Sequence, residues 1–175
     1  MPPLLVLVSG SPGSGKSTLA GRLAADLEFP LLSKDTIKEA LGRTLAVDSV
    51  ERSLQLGGAS VDALYALIDV QLGLGVSVVV DHAFHQDLAD AVLPMVERST
   101  TLLVHCRAPQ GVLIQRIADR HAHGERNPVH RDGDRTIDWN RYGVMELDVP
   151  TLLVDTSDGY RPDYPTILSF VEGAA

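Results

Sequence analysis

Nine consecutive residues near the start carry the strongest chemical signal in this sequence: Gly10-Ser11-Pro12-Gly13-Ser14-Gly15-Lys16-Ser17-Thr18. Gly10, Gly15, Lys16 and Ser17 satisfy the G-x-x-x-x-G-K-[ST] pattern. Glycines let a backbone turn tightly and aim its N–H groups at phosphate oxygens. A helix opening directly after the loop adds the positive end of its dipole. Lys16 can set an ammonium against the β- and γ-phosphates of a nucleotide, and the Ser17 hydroxyl can ligate Mg²⁺. The chemistry expected here is binding of ATP–Mg²⁺. The bland alternative, a glycine-rich strand-to-helix turn that binds nothing, does not explain why Lys-Ser-Thr follows.

Other candidates lie further along the chain. Asp81 ends the apolar run Val78-Val79-Val80, where a carboxylate can orient Mg²⁺ or contact the substrate, or else cap the following loop. Asp35 follows a short strand pattern and can accept the proton of an acceptor hydroxyl, or simply cap the helix that starts near Thr36. Thr36 and Glu39 themselves fit a capping box. Lys38 falls on the same helical face as Asp35, as a contact for substrate or γ-phosphate or as a solvated surface lysine. Arg116 and Arg120 share a helix face, and Arg126 and Arg131 follow in an irregular stretch; guanidinium groups suit the charge on a transferring phosphoryl group. Thr156 and Ser157, after the last strand pattern, are candidates for nucleotide contacts. The histidines His82, His85, His121, His123 and His130 lack Cys or Glu partners at metal-ligand spacing. His130 falls with the irregular stretch, and Cys106 reads as a small core residue. Trp139 and Tyr142 are open between packing and substrate contact.

These residues need elements to hold them. Residues 4–8 form a continuous apolar run, as a strand buried on both faces does. Leu19, Leu23 and Leu27 predict a helix over 16–28. Strands are expected at 29–32, 76–80, 101–106 and 151–154. Helices are expected from Thr36, over 48–72, 87–98, 109–122 and 164–171. The Gly57-Gly58 pair is expected to split the region 48–72, and Pro94 to kink its helix. Alternating strands and helices imply a three-layer α/β/α fold on a parallel sheet. The polar, irregular stretch within about 120–138 reads as a lid.

The whole chain is 175 residues, which suits one domain over 1–175. Its 45% apolar and 22% charged residues are a globular composition. A formal charge of −8 opposes a general nucleic-acid binder. The lone cysteine, Cys106, cannot pair within the chain, which fits a reducing compartment. The first residues lack a basic leader region, and no apolar run reaches the ~20 residues of a membrane span. The expectation is a cytoplasmic protein without a membrane partner; oligomeric state is open.

Taken together, Gly10–Thr18, Ser33-Lys34-Asp35 with Lys38, Val80-Asp81, and Arg116-x-x-x-Arg120 leading into Gly124-Glu125-Arg126-Asn127-Pro128 resemble the small bacterial P-loop (AAA-like) kinases. That group includes chloramphenicol phosphotransferase-like enzymes, zeta-toxin-like kinases and the kinase domain of phage polynucleotide kinase. The resemblance spans residues 4 to about 135. It implies a P-loop NTPase fold with five parallel strands in the order 2-3-1-4-5 and a mobile lid. It also implies Asp35 as base, Lys16 and Ser17 on ATP–Mg²⁺, and Arg116, Arg120 or Arg126 as lid arginines. The expected activity is transfer of the γ-phosphoryl group of ATP to a hydroxyl of a small molecule. Two alternatives stand beside it, a polynucleotide 5′-hydroxyl kinase and a nucleotide switch without an acceptor. Lys38 departs from the arginine usual in polynucleotide kinases and lacks its bidentate grip on phosphate, which argues against a nucleic-acid acceptor.

Overall fold

The computed structural model describes residues 2–124, 127–131 and 136–174. Its centre is a five-stranded sheet in which every pairing is parallel: β1 (Leu4–Gly10), β2 (Leu31–Ser33), β3 (Val78–Asp81), β4 (Thr100–Arg107) and β5 (Thr151–Asp155). The strand order is β2-β3-β1-β4-β5, as the resemblance implies. All seven residues of β1 are buried, which is why that strand reads as an unbroken apolar run rather than an alternating one.

The side chains of β1 point alternately to two cores. Leu4, Val6 and Val8 pack with Leu19, Leu23, Ile167 and Val171, from α1 (Lys16–Leu27) and α6 (Tyr164–Glu172). Leu5 and Leu7 pack with Leu64, Ile68, Val92 and Met95, from α3 (Val50–Gly73) and α4 (Ala89–Val96). Helices α2 (Lys34–Gly42) and α5 (Gln110–Ala122) stand at the carboxyl end of the sheet, where ligands bind in open α/β folds. Among the described residues no helix is long and apolar enough to cross a membrane.

Three local expectations are corrected. Helix α3 runs unbroken through Gly57 and Gly58. Its buried stripe of Ser53, Leu56, Ser60, Leu64, Ile68 and Leu72 recurs every three or four residues, and that burial outweighs the roughly 1 kcal/mol each glycine costs a helix. Helix α2 starts at Lys34, two residues before Thr36. Its cap is Ser33, whose Oγ accepts from Thr36 N at 3.5 Å, so neither Thr36 nor Asp35 is the cap. The fourth helix is shorter than expected, with a 3-10 turn at Gln86–Leu88 ahead of α4, and Pro94 sits within its last turns.

Candidate active site

The glycine-rich turn is shaped by where β1 ends. Gly10 has φ 141°, and a Cβ there would stand 2.3 Å from the Cys106 carbonyl oxygen and 2.5 Å from Ser14 Oγ. Only glycine fits, and the chain can then wind back on itself, with Ser14 N donating to Ser11 O at 3.1 Å. Gly15, at φ 78°, precedes the first residue of α1, Lys16. Lys16 and Ser17 therefore lie in the first turn of α1, whose unpaired backbone N–H groups face the loop.

The loop is braced from behind. The Arg116 guanidinium, on α5, donates to Gly13 O at 3.3 Å, Thr156 O at 2.6 Å and Ser157 O at 3.3 Å. Thr156 Oγ1 in turn donates to Ser14 O at 2.8 Å, and Thr156 is buried. Arg116 and Thr156 thus tie the loop after β5 to the loop after β1. This differs from the expectation of Arg116 in the lid: its donors are directed to carbonyls of the scaffold. Arg120, one turn further on α5, donates from Nε to Arg116 O at 3.4 Å and lines the cleft in front of the loop. Arg126 lies outside the described residues.

That cleft has a volume of about 570 Å³. It collects Lys16, Ser17, Asp35, Lys38, Asp81 and Arg120 from four separate elements, along with Pro12 and Gly13. The parallel register explains the meeting of Asp81 and the start of α2. Ser33 pairs with Asp81 across β2 and β3, and Ser33 Oγ donates to Asp81 Oδ2 at 3.1 Å. The same hydroxyl caps α2, which fixes Asp35 in that helix's first turn. Lys34 Nζ holds Asp35 Oδ1 at 3.1 Å.

The Asp81 carboxylate is 5% exposed, and its Oδ1 meets no hydrogen-bond partner among the described residues. A buried carboxylate oxygen left in that state is costly unless a cation or donor satisfies it. Asp81 and the Ser17 hydroxyl line one cleft and are hard oxygen donors, the type Mg²⁺ takes, so the residues fit that ion.

Sequence reasoning missed several neighbours. Ser53 is one: Lys38, open from the sequence between a substrate contact and a surface lysine, is 2% exposed, and its Nζ donates to Ser53 Oγ at 2.8 Å. Ser53 Oγ donates onward to Val129 O at 2.7 Å. His130 is also buried, with Nε2 2.9 Å from Glu39 Oε1 and Nδ1 3.9 Å from Asp35 Oδ1. The only hint in the sequence was the i, i+4 spacing of Asp35 and Glu39, which puts two carboxylates on one face of α2. Arg141, held to Asp87 Oδ2 at 2.7 Å, and Tyr142 close the far side of the cleft. Burial lowers the His82 pKa to about 3, helped by the cationic Lys34, so this ring at the cleft floor stays neutral. Burial pushes the Cys106 thiol up to about 12, which removes it as a nucleophile.

Compared with known proteins, residues 5–136 match the family described as an AAA domain. The crystal structure of a candidate kinase from Chloroflexus aurantiacus aligns over 100% of both chains, with a TM-score of 0.87 and 30% identity. The cytidylate kinase of Aeropyrum pernix is 27% identical over 168 residues, covering 89% of this chain and 94% of that protein. The cytidylate kinase of Pyrobaculum neutrophilum is 46% identical over 48 residues, so the chain matches only 26% of that relative's length.

Proposed function

We propose, from the premise that this chain belongs to the AAA domain family and has the fold of small P-loop kinases, that it moves the γ-phosphoryl group of ATP to a hydroxyl of a small molecule. The observation that carries the reading is the convergence of Lys16, Ser17, Asp81 and Asp35 on one cleft at the carboxyl end of the sheet.

In this reading the backbone N–H groups of Gly13 to Thr18 and the Lys16 ammonium hold the polyphosphate. Ser17 and Asp81 hold Mg²⁺, which supplies charge neutralisation on the phosphate oxygens. The acceptor lies toward α2 and α3, beside Lys38 and Gly57. Its hydroxyl oxygen forms a bond to the γ-phosphorus as the bridging P–O bond to the β-phosphate breaks. Asp35 takes the hydroxyl proton, and ADP leaves. Arg120 faces the cleft and stabilises charge on the transferring group. Arg116 keeps the loop in shape through its carbonyl contacts.

An acceptor screen with ATP and Mg²⁺, read as the mass gain of one phosphoryl group, tests the reaction. Asp35→Asn is expected to keep ATP binding and to lose transfer by roughly 10²-fold or more. Transfer at the wild-type rate in that variant removes Asp35 from the mechanism. Phosphate release that no acceptor alters or redirects argues for a nucleotide switch instead.

A further inference from the structure

The segment Asn127–Arg131 lies against α2 and α3, seated there by three separate contacts. Ser53 Oγ donates to Val129 O at 2.7 Å and lies 3.3 Å from His130 O, linking the segment to buried Lys38. The Val129 side chain fills the space left by Gly42, where a Cβ would stand 2.4 Å from Val129 Cγ2. The third contact is the His130 side chain itself, 3% exposed, which lies under two carboxylates that are each 36% exposed.

An ionised carboxylate only accepts, so the 2.9 Å contact to Glu39 places a proton on His130 Nε2. That hydrogen bond fixes the ring plane. It leaves Nδ1 facing Asp35 Oδ1 at 3.9 Å, too far for a hydrogen bond; the contact attracts when Nδ1 also carries a proton and the ring is an imidazolium. Lys34 Nζ approaches the same oxygen at 3.1 Å. With His130 in that protonated form, Asp35 is held from its own helix start by Lys34 and from the segment 127–131 by His130. Reacting groups held within a fraction of an ångström gain rate through orientation alone.

We propose that His130, oriented by Glu39 and carried by the segment 127–131, is a positioning residue for the base Asp35, so that seating of this segment completes the acceptor site. The inference rests on the reading of Asp35 as base. It needs no covalent step: His130 touches neither the phosphoryl group nor the acceptor.

The test uses the full chain with ATP and Mg²⁺, water serving as the acceptor, and takes the rate above the Lys16→Ala background. His130→Ala is expected to lower kcat about tenfold or more while the KM for ATP stays within about twofold. His130→Gln, whose amide can still donate to Glu39 but carries no charge toward Asp35, keeps the segment seated yet leaves kcat low. In an Asp35→Asn background, His130→Ala costs no further rate beyond about twofold, because both changes act through one group. Should His130→Ala fail to fold, Glu39→Ala at the half-exposed partner carries the comparison: kcat falls with Asp35 present and is unchanged in Asp35→Asn. Losses that multiply in the double variant overturn the inference, as does a wild-type kcat in a folded His130→Ala or Glu39→Ala. Those results leave the kinase reading standing, whereas a wild-type rate in Asp35→Asn alone removes the base and this inference with it.

Discussion

Gly10 has no substitute, for two independent reasons. Its φ of 141° is strained for any residue with a side chain, and the atom a Cβ would strike at 2.3 Å is a backbone carbonyl oxygen of β4 that is held within the sheet. Gly10→Ala is expected to destabilise the protein by at least about 2 kcal/mol and to abolish nucleotide binding, because the clash bends the loop that the phosphates must enter. Urea unfolding with and without ATP–Mg²⁺ reads both effects. A variant with normal stability and normal nucleotide protection contradicts this account of the loop. Such a residue was legible from sequence, since the pattern names it. Ser33 was not. Its hydroxyl serves Asp81 and the α2 cap together, and only the parallel pairing of β2 with β3 brings those two sites within reach of one side chain.

Helix α2 presents Asp35 to the cleft and Glu39 to His130, buries Lys38 against α3, and leaves a bare surface at Gly42 for Val129. Gly42→Ala tests that last fit. A methyl group would meet Val129 Cγ2 at 2.4 Å and Cβ at 3.1 Å, and a valine side chain has little freedom to move aside. The segment 127–131 is expected to lift from α2, raising amide exchange at Val129 and His130 by tenfold or so while β1 and α1 stay protected. Unchanged protection at those two amides contradicts the seat described here. At this scale the sequence was accurate on type and approximate on extent. Periodicity marked α1 because its leucines recur on one apolar face. The extent of α3 was misjudged because two glycines resembled a break. The buried stripe that carries the helix through them acts only once α3 packs on the sheet.

The acid stability of the whole molecule should follow its buried imidazoles. His105 on β4 is 4% exposed, and its Nδ1 meets no hydrogen-bond partner among the described residues. Burial, with a smaller contribution from Arg107, lowers its pKa from the ordinary 6.5 to about 4. The sign follows from proton counting. Below pH 6.5 the unfolded chain takes up a proton that the folded chain refuses, until about pH 4. Stability is therefore constant in this group above pH 6.5 and falls as the pH drops from 6.5 to 4, by up to about 1.4 kcal/mol per pH unit. His105→Leu should remove that share of the slope in denaturant unfolding measured across pH 4–7. An unaltered slope assigns the acid loss to other groups.

The sequence by itself determined the phosphate loop and the parallel α/β architecture, because each rests on local pattern: a nine-residue motif, a fully apolar first strand, and alternation of strand with helix; the strand order was implied by the family resemblance. Tertiary structure alone decided how the remaining candidates meet. Lys38 was open between a substrate contact and a surface lysine and Arg116 read as a lid cation; packing turned them to Ser53 and to the carbonyls behind the loop. His130, distant in sequence from α2, reached Glu39 and came close to Asp35 because the segment 127–131 lies against that helix. Spacing along a chain reports which residues share a helix face or a strand. It carries no information on which faces meet when the chain closes on itself, and that meeting made the second half of this site.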